Sequence, residues 1–264
     1  MDQSAVAIER VRLATEMDEA RVAAEAERLR GALLTSLSHD LKTPLASILG
    51  SANSLREYGD LFDKQARDEL VGTIEEEAGR LARFVANLLD MTRLEAGAIE
   101  LNSEPAEMSE IIGAAVHRMK ALLEGFKLHY DIEPDLPLVD LDVLLMEQVL
   151  INLFDNAVKY APPASTITIV AKRDHDTARI QVIDEGPGIP EDRLTRIFEK
   201  FHRVNGGDRQ RAGTGLGLAI CRGFVEAMGG TITAANRPDR RGAIFTVELP
   251  ISAARAPDVI EATA

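Results

Sequence analysis

Two long stretches with few helix breakers occupy the first hundred residues and limit what the chain can fold into. Between residues 5 and 58 the only proline is Pro44, and mostly apolar residues recur at seven-residue spacing on two neighbouring tracks. One track is Ile8, Thr15, Val22, Leu29 and Ser36, and the other is Val6, Leu13, Ala20 and Leu34, with a charged gap at Glu27. This spacing predicts a long helix that pairs with another helix. The alternative is a solitary charged helix.

A second helix is predicted from about Asp63 to Ala96, after a turn at Gly59-Asp60. Its apolar positions are spaced by three and four, which makes one stripe: Leu70, Ile74, Leu81, Phe84, Leu88, Met91 and Leu94. Two such helices joined by a short turn form a hairpin that leaves much of its apolar surface exposed. Two hairpins packed as a four-helix bundle would bury that surface, so we expect a homodimer.

The remainder of the chain mixes helices with strands. Residues 97–105 are interpreted as a linker. Helices are predicted over 108–125, 142–160 and 216–228, and strands over 128–132, 166–171, 178–183, 231–235 and 243–249. Because these elements are grouped rather than alternating, the pattern favours an α+β sandwich. The tail after Ile251 is predicted to be disordered.

Composition excludes some partners. The formal net charge is −13, which disfavours nucleic acid and anionic lipid as partners. No apolar run reaches the ~20 residues that a membrane span needs, and the single cysteine, Cys221, forms no internal disulfide. We therefore expect a cytoplasmic location with no membrane contact by this segment, which could be the cytoplasmic part of a membrane-anchored sensor.

A histidine followed by an acid lies in the first long helix, at His39-Asp40. Such an acid can hold the Nδ1 proton of the imidazole while Nε2 acts as a nucleophile. Thr43 lies one turn further along the same face, and Pro44 is expected to bend the helix. A lone His-Asp pair on a helix is usually an ordinary surface pair, so this pattern indicates a function only together with Thr43, Pro44 and the motifs downstream.

Three groups of residues downstream suit a nucleotide. Asn152, Asn156 and Lys159 share one helix face, where amide oxygens and a cation could hold Mg²⁺ and phosphates. The run Asp184-Glu185-Gly186-Pro187-Gly188 follows an apolar strand, and its carboxylate could accept a hydrogen bond from an adenine amino group. The run Gly213-Thr214-Gly215-Leu216-Gly217 opens a helix, whose N-terminal amides suit phosphate.

The order of these segments resembles that of the two-component sensor histidine kinases. Residues 38–44 resemble the H box of that family, 152–156 the N box, 184–188 the G1 box, 198–201 the F box and 213–217 the G2 box. Residues 88–97 resemble the hinge between the bundle and the ATPase domain. The resemblance covers about residues 30–250, and the first helix is most similar to the potassium-sensing KdpD branch.

The resemblance implies a division into four regions and a role for each motif. The regions are a signalling helix (1–30), a dimerisation and histidine phosphotransfer domain (31–100), a catalytic ATP-binding sandwich of the gyrase, Hsp90, histidine kinase and MutL type (101–252), and the tail (253–264). His39 would be phosphorylated with Asp40 as its acid–base partner, and Thr43 would orient water in a phosphatase reaction. The implied ATP contacts are Asn152, Asn156 (also the Mg²⁺ ligand), Lys159, Tyr160, Asp184, Gly186, Gly188, Phe198, Arg203, Gly213, Thr214, Gly215, Leu216 and Gly217.

The implied reaction is ATP-dependent phosphorylation of His39, followed by transfer to an aspartate of a response regulator receiver domain. Two alternatives stay open. An ATPase of the gyrase, Hsp90 and MutL type shares the nucleotide motifs but needs no His39. A degenerate kinase would serve only as a dimeric scaffold.

Overall fold

The computed structural model describes residues 41–202 and 215–251, which divide into two compact units between Val85 and Ala86. The first helix before residue 41, His39, Asp40, Arg203, Gly213, Thr214 and the tail all lie outside the described residues.

The first unit is a helical hairpin. Helix α1 covers residues 41–58, and helix α2, Lys64–Glu95, begins in this unit and ends in the second. The turn between them closes when Leu61 N donates to Tyr58 O, and Asp63 Oδ1 caps α2 by accepting from Ala66 N at 2.8 Å. The predicted turn at Gly59 and the start of the second helix are thus confirmed.

The second unit contains a five-stranded sheet in the order β2-β4-β5-β7-β6. The strands are β2 Lys127–Ile132, β4 Thr166–Asp174, β5 Thr177–Ile183, β6 Thr231–Asn236 and β7 Ala243–Pro250. The pair β2–β4 is parallel, and the other three pairs are antiparallel. All five predicted strands are present, each extended by a residue or more.

Helices pack on one another around the core of this unit. They are α3 Met108–Arg118, α4 Lys120–Leu123, α5 Val143–Tyr160 and α6 Gly217–Ala227, with 3₁₀ turns at Glu191–Arg193 and Arg196–Phe198. Alternate residues of β4, β5 and β7 are buried, so one face of the sheet joins the helices in a single apolar core. This arrangement is the predicted α+β sandwich.

Three short features differ from the sequence prediction. The predicted helix over 108–125 is broken at Met119, whose φ of −93° and ψ of 7° leave the helical region. Part of the predicted linker, Glu104–Ala106, is strand β1, which pairs antiparallel with β3, Val139–Leu141. Three-residue strands are too short to show the alternation by which a strand is predicted.

The last turns of α2 pack inside the second unit. Met91 is buried in its core, and Leu94 lies against Gly223 so closely that a Cβ there would stand 2.6 Å from Leu94 Cδ2. Glu95 Oε1 also pairs with Lys200 Nζ at 2.6 Å. The segment predicted as a hinge therefore contacts α6 and the stretch that follows the second 3₁₀ turn.

Candidate functional site

Helix α5 has the two faces that its sequence predicts. Its apolar face is buried, and it carries Met146, Val149, Leu150, Leu153 and Ala157. The polar residues Asn152, Asn156 and Lys159 are only partly buried. At the start of the helix, Asp142 Oδ1 accepts hydrogen bonds from Leu144 N and Leu145 N, each at 3.1 Å. This cap satisfies two of the free N–H groups at the helix terminus and fixes where the polar face begins.

The two asparagines are oriented by the helix itself. Asn156 Nδ2 donates to Asn152 O at 3.0 Å, so the Oδ1 atom of Asn156 faces away from that bond and can accept or ligate. The Nδ2 of Asn152 is buried, and the Asn152 side chain interacts with the buried thiol of Cys221, whose pKa it acts to lower. Its Oδ1 lies toward the start of α6, because a Cβ on Gly217 would stand 3.8 Å from that atom.

Asp184 is the buried carboxylate of the site, with only 4% of the residue exposed. Its Oδ1 accepts from Gly186 N at 2.7 Å and from Ala243 N at 3.2 Å. Among the described residues, Oδ2 accepts no hydrogen bond and stays available to a ligand donor. Burial raises the pKa of Asp184, whereas the two N–H bonds and the nearby Arg237 act to lower that pKa.

Glycine is required at two positions beside Asp184, because neighbouring atoms lie too close for a side chain at Gly186 and the backbone has a positive φ at Gly188. A Cβ on Gly186 would lie 2.8 Å from Asp184 Oδ1 and 3.1 Å from Tyr160 O, and Gly188 has a φ of +82°. No side chain fits at Gly186 without moving the carboxylate, and the φ of Gly188 strains any other residue. The contact with Tyr160 also brings the Asp184–Gly188 loop to the C-terminal end of α5.

The start of α6 adds another side to the site. Gly215 has a φ of +67°, and Phe201 N donates to its carbonyl oxygen at 2.9 Å. A Cβ on Gly217, the first residue of α6, would lie 3.8 Å from Asn152 Oδ1. The N-terminus of an eleven-residue helix therefore stands next to the polar face of α5, and helix N-termini attract anions.

The structure therefore brings together Asn152, Asn156, Lys159, Tyr160, Asp184, Gly186, Gly188, Gly215 and Gly217. It places two other predicted contacts in the core behind them: Leu216 is fully buried, and Phe198 lies under the guanidinium of Arg222, 4.4 Å from the ring centroid. Thr43 is an exposed residue of α1. Cys221 is fully buried, as expected of a core residue, and burial raises its thiol pKa to about 12.

Sequence reasoning missed the turn between β6 and β7. Asn236 and Arg237 both bond the Asp184–Ile189 loop, although no motif singled them out. The available signal was a glycine, Gly242, between two predicted strands, with three arginines in the six residues before it. Glu185 was also missed as a structural residue: it accepts from Thr166 N at 3.1 Å and pairs with Arg240 at 3.1 Å.

Two family profiles match this chain. Residues 29–97 match the His Kinase A (phospho-acceptor) domain, and residues 141–253 match the histidine kinase-, DNA gyrase B-, and HSP90-like ATPase. Together the two matched ranges include both the His39 motif and the residues of the candidate site just described.

Similar whole proteins are sensor kinases. The chain is 40% identical over 250 residues to Sensor protein KdpD of Clostridium acetobutylicum and 40% identical over 250 residues to Sensor protein KdpD of Escherichia coli K12. These matches cover 94% and 92% of the chain but only 28% and 27% of the relatives. The chain thus spans less than a third of the length of these relatives.

Solved structures with a similar fold include a histidine kinase. The Acinetobacter baumannii histidine kinase AdeS is 26% identical, with a TM-score of 0.61, over 81% of this chain and 98% of that chain. Full-length ShkA in complex with AMPPNP is 30% identical, with a TM-score of 0.60, over 82% of this chain and 45% of that chain. In the described part of the chain, no helix has the length and apolarity to cross a bilayer.

Proposed function

Because the chain belongs to the two-component sensor histidine kinases, we propose that it binds ATP and transfers the γ-phosphoryl group to Nε2 of His39. The proposal rests on one observation: α5, the Asp184–Gly188 loop and the start of α6 together form one site. This site offers a carboxylate oxygen that accepts no hydrogen bond among the described residues, next to a helix N-terminus.

The nucleotide would lie with its base at Asp184 and its phosphates toward Asn152 and α6. Asp184 Oδ2 would accept from the adenine amino group, and Tyr160 would pack near the base. Asn152, Lys159, and the glycine run from Gly213 to Gly217 with Thr214 would face the phosphates, as would Arg203. The similar structure of ShkA was solved in complex with AMPPNP, which supports nucleotide binding by this chain.

The residues present also fit a magnesium ion. Among the described residues no group of three or more histidine, cysteine or acidic side chains could hold a metal, so an ion would depend mainly on phosphate and water oxygens. Mg²⁺ commonly binds in that way with one or two protein oxygens, and Asn156 Oδ1 is the oxygen that its helix leaves available. Bound there, Mg²⁺ would neutralise charge on the phosphates.

The transfer requires little covalent chemistry from the protein. The bond between the γ-phosphorus and the bridging oxygen breaks, a nitrogen–phosphorus bond forms at His39, and ADP leaves. Asp40 would hold the Nδ1 proton and stabilise the imidazole as it becomes charged. Catalysis would rest on positioning and on stabilisation of charge by the site.

The phosphoryl group would then pass to an aspartate of a response regulator receiver domain, where an acyl phosphate forms and His39 is regenerated. Thr43 would orient a water molecule that hydrolyses the acyl phosphate of the receiver domain to aspartate and inorganic phosphate. Since ATP and response regulators are cytoplasmic, we place this segment in the cytoplasm.

We also propose that the working form is a homodimer. Within the hairpin unit the large apolar side chains Leu45, Leu49, Val71 and Val85 are each at least 43% exposed. Exposed apolar surface of this kind marks an interface, and a second hairpin would cover it in a four-helix bundle.

Parallel measurements of protein labelling and ADP release test the proposal against its rivals. With γ-labelled ATP, we expect label on the wild-type chain that reaches a plateau, no label on His39→Gln, and equal nucleotide affinity for both. Steady ADP release without label would favour an ATPase of the gyrase type. Absence of nucleotide binding in the wild type would favour a dimeric scaffold.

A further inference from the structure

The turn between strands β6 and β7, residues 237–242, lies directly beside Asp184. Strands β5 and β7 pair with Ile183 opposite Ile244, so the next pair along the ladder brings Ala243 to Asp184. Asp184 N donates to Ala243 O at 3.0 Å, and Ala243 N donates to Asp184 Oδ1 at 3.2 Å. The turn therefore ends where the carboxylate is held.

Arg237 links the turn to the backbone of Asp184. Its Nη1 donates to Asp184 O at 3.4 Å, while Nε and Nη2 donate to the two carboxylate oxygens of Asp239 at 3.2 and 3.1 Å. The Arg237 side chain is only 10% exposed. A guanidinium held by two bonds to one carboxylate is fixed in orientation, so its third donor is aimed at Asp184.

Asn236 holds the other end of the same loop. Its Oδ1 accepts from Ile189 N and its Nδ2 donates to Ile189 O, both at 2.7 Å. These two bonds are like the pair of backbone bonds that joins residues of neighbouring strands. Asn236 Oδ1 also lies so close to Gly188 that a Cβ there would be 2.8 Å from it. The position of the loop therefore depends on the asparagine.

Gly242 permits this contact between the turn and the loop. Its φ is +143°, and a Cβ there would stand 2.1 Å from Asp184 O. Arg237 N also donates to Gly242 O at 3.0 Å, which closes the turn. The other two arginines contribute less: Arg240 pairs with Glu185 from an exposed position, and Arg241 is exposed without a contact in the described residues.

We propose that Asn236 and Arg237 are positioning residues for base recognition, which hold both ends of the Asp184–Ile189 loop so that Asp184 Oδ2 meets the 6-amino group of a purine nucleotide. The inference rests on the proposed ATP function and adds to it the determinants of base specificity. Both residues act through Asp184 and Gly188 and need no contact with the nucleotide.

The test compares two nucleotides that differ only in the 6-amino group, ATP and purine riboside triphosphate, by calorimetry on the full chain. The ratio of their dissociation constants reports recognition of that group. We expect Asn236→Ala and Arg237→Ala each to reduce the ratio by about tenfold, the effect of one misplaced hydrogen bond. Arg241→Ala, which removes the same charge from an exposed position, is expected to leave the ratio unchanged.

Two further variants keep the result interpretable. Arg237→Lys retains the charge but lacks the planar fork with which Arg237 bonds Asp239 and Asp184 at the same time. The ratio of dissociation constants for this variant is expected to lie between those of the wild type and Arg237→Ala, and it can be measured even if the alanine variant folds poorly. Asp184→Asn replaces the proposed acceptor with a donor and is expected to abolish discrimination.

The outcomes separate the two levels of the proposal. If Asp184→Asn lowers the ratio but the Asn236 and Arg237 variants leave it at the wild-type value, the positioning role is wrong and the proposed ATP site stands. The same conclusion follows if those variants weaken both nucleotides equally, since that is the result of general loosening. If Asp184→Asn leaves the ratio unchanged, the adenine contact is wrong and this inference is wrong with it.

Discussion

Removal of the Asp142 side chain should destabilise the second unit in a way that the structure allows us to estimate. This carboxylate accepts three backbone hydrogen bonds: from Leu144 N and Leu145 N at the start of α5, and from Asn102 N at 3.0 Å. It is only 8% exposed, so water cannot easily replace it. The same residue thus begins the helix of the nucleotide site and holds the preceding segment against it.

The expected cost of Asp142→Ala has two parts. Loss of a helix N-cap costs about 0.5–2 kcal/mol, and loss of the hydrogen bond from Asn102 N, which belongs to an exposed residue, costs about 0.5–1.5 kcal/mol. We therefore expect a loss of about 1–3.5 kcal/mol in the free energy of unfolding. With a urea m-value of about 2 kcal/mol per molar, the transition midpoint should fall by about 0.5–1.8 M.

Urea unfolding followed by far-ultraviolet circular dichroism measures this shift. Asp142→Asn keeps one acceptor oxygen for the helix cap but turns a donor toward Asn102 N, so it should cost less than the alanine variant. Asp140→Ala is the matched control, because Asp140 is an exposed neighbour in β3 without a side-chain partner in the described residues. A free energy of unfolding for Asp142→Ala within about 0.5 kcal/mol of that control would refute the reasoning.

Three further predictions concern the site and the core. Burial raises the pKa of Asp184, and protonation at Oδ2 would turn the proposed acceptor into a donor. ATP affinity measured by calorimetry should therefore fall on acidification at a higher pH than for an ordinary aspartate, and persistence of this pH dependence in Asp184→Asn would contradict the assignment. Gly215→Ala places a Cβ 2.8 Å from Phe201 C at a positive φ, so it should lose about 1–3 kcal/mol of stability, whereas Gly113→Ala, where a Cβ meets nothing within 4 Å, should lose none. The thiol of Cys221, with a pKa of about 12 and full burial, should resist iodoacetamide in the native protein and react after unfolding, and rapid native alkylation would show that the core is not closed.

Much of the fold was predictable because long elements repeat their pattern. The apolar positions along α2 and α5 recur often enough to predict from sequence that each segment is a helix, how long it is and which face is apolar. The strand pair β1–β3 and the break at Met119 were not predictable, since three residues carry no period and the break depends on the packing around it.

The site was predictable where local chemistry identifies it and unpredictable where it depends on neighbours. Glycines beside Asp184 and along residues 213–217 indicated a nucleotide from sequence alone. The roles of Asn236 and Arg237 depend on strand β7 pairing with β5, which brings residues some fifty positions apart into contact. No local pattern contains that information.

The central claim is that His39 receives the phosphoryl group of ATP, and location of that group tests it most directly. After incubation with ATP, digestion by trypsin yields a peptide from Gly31 to Lys42 whose one histidine is His39, and mass spectrometry of an alkaline digest finds the modified peptide. The account predicts one phosphoryl group on this peptide, lost on brief acid treatment and absent in His39→Gln. Phosphate that is stable to acid, or that persists in His39→Gln, would contradict the account.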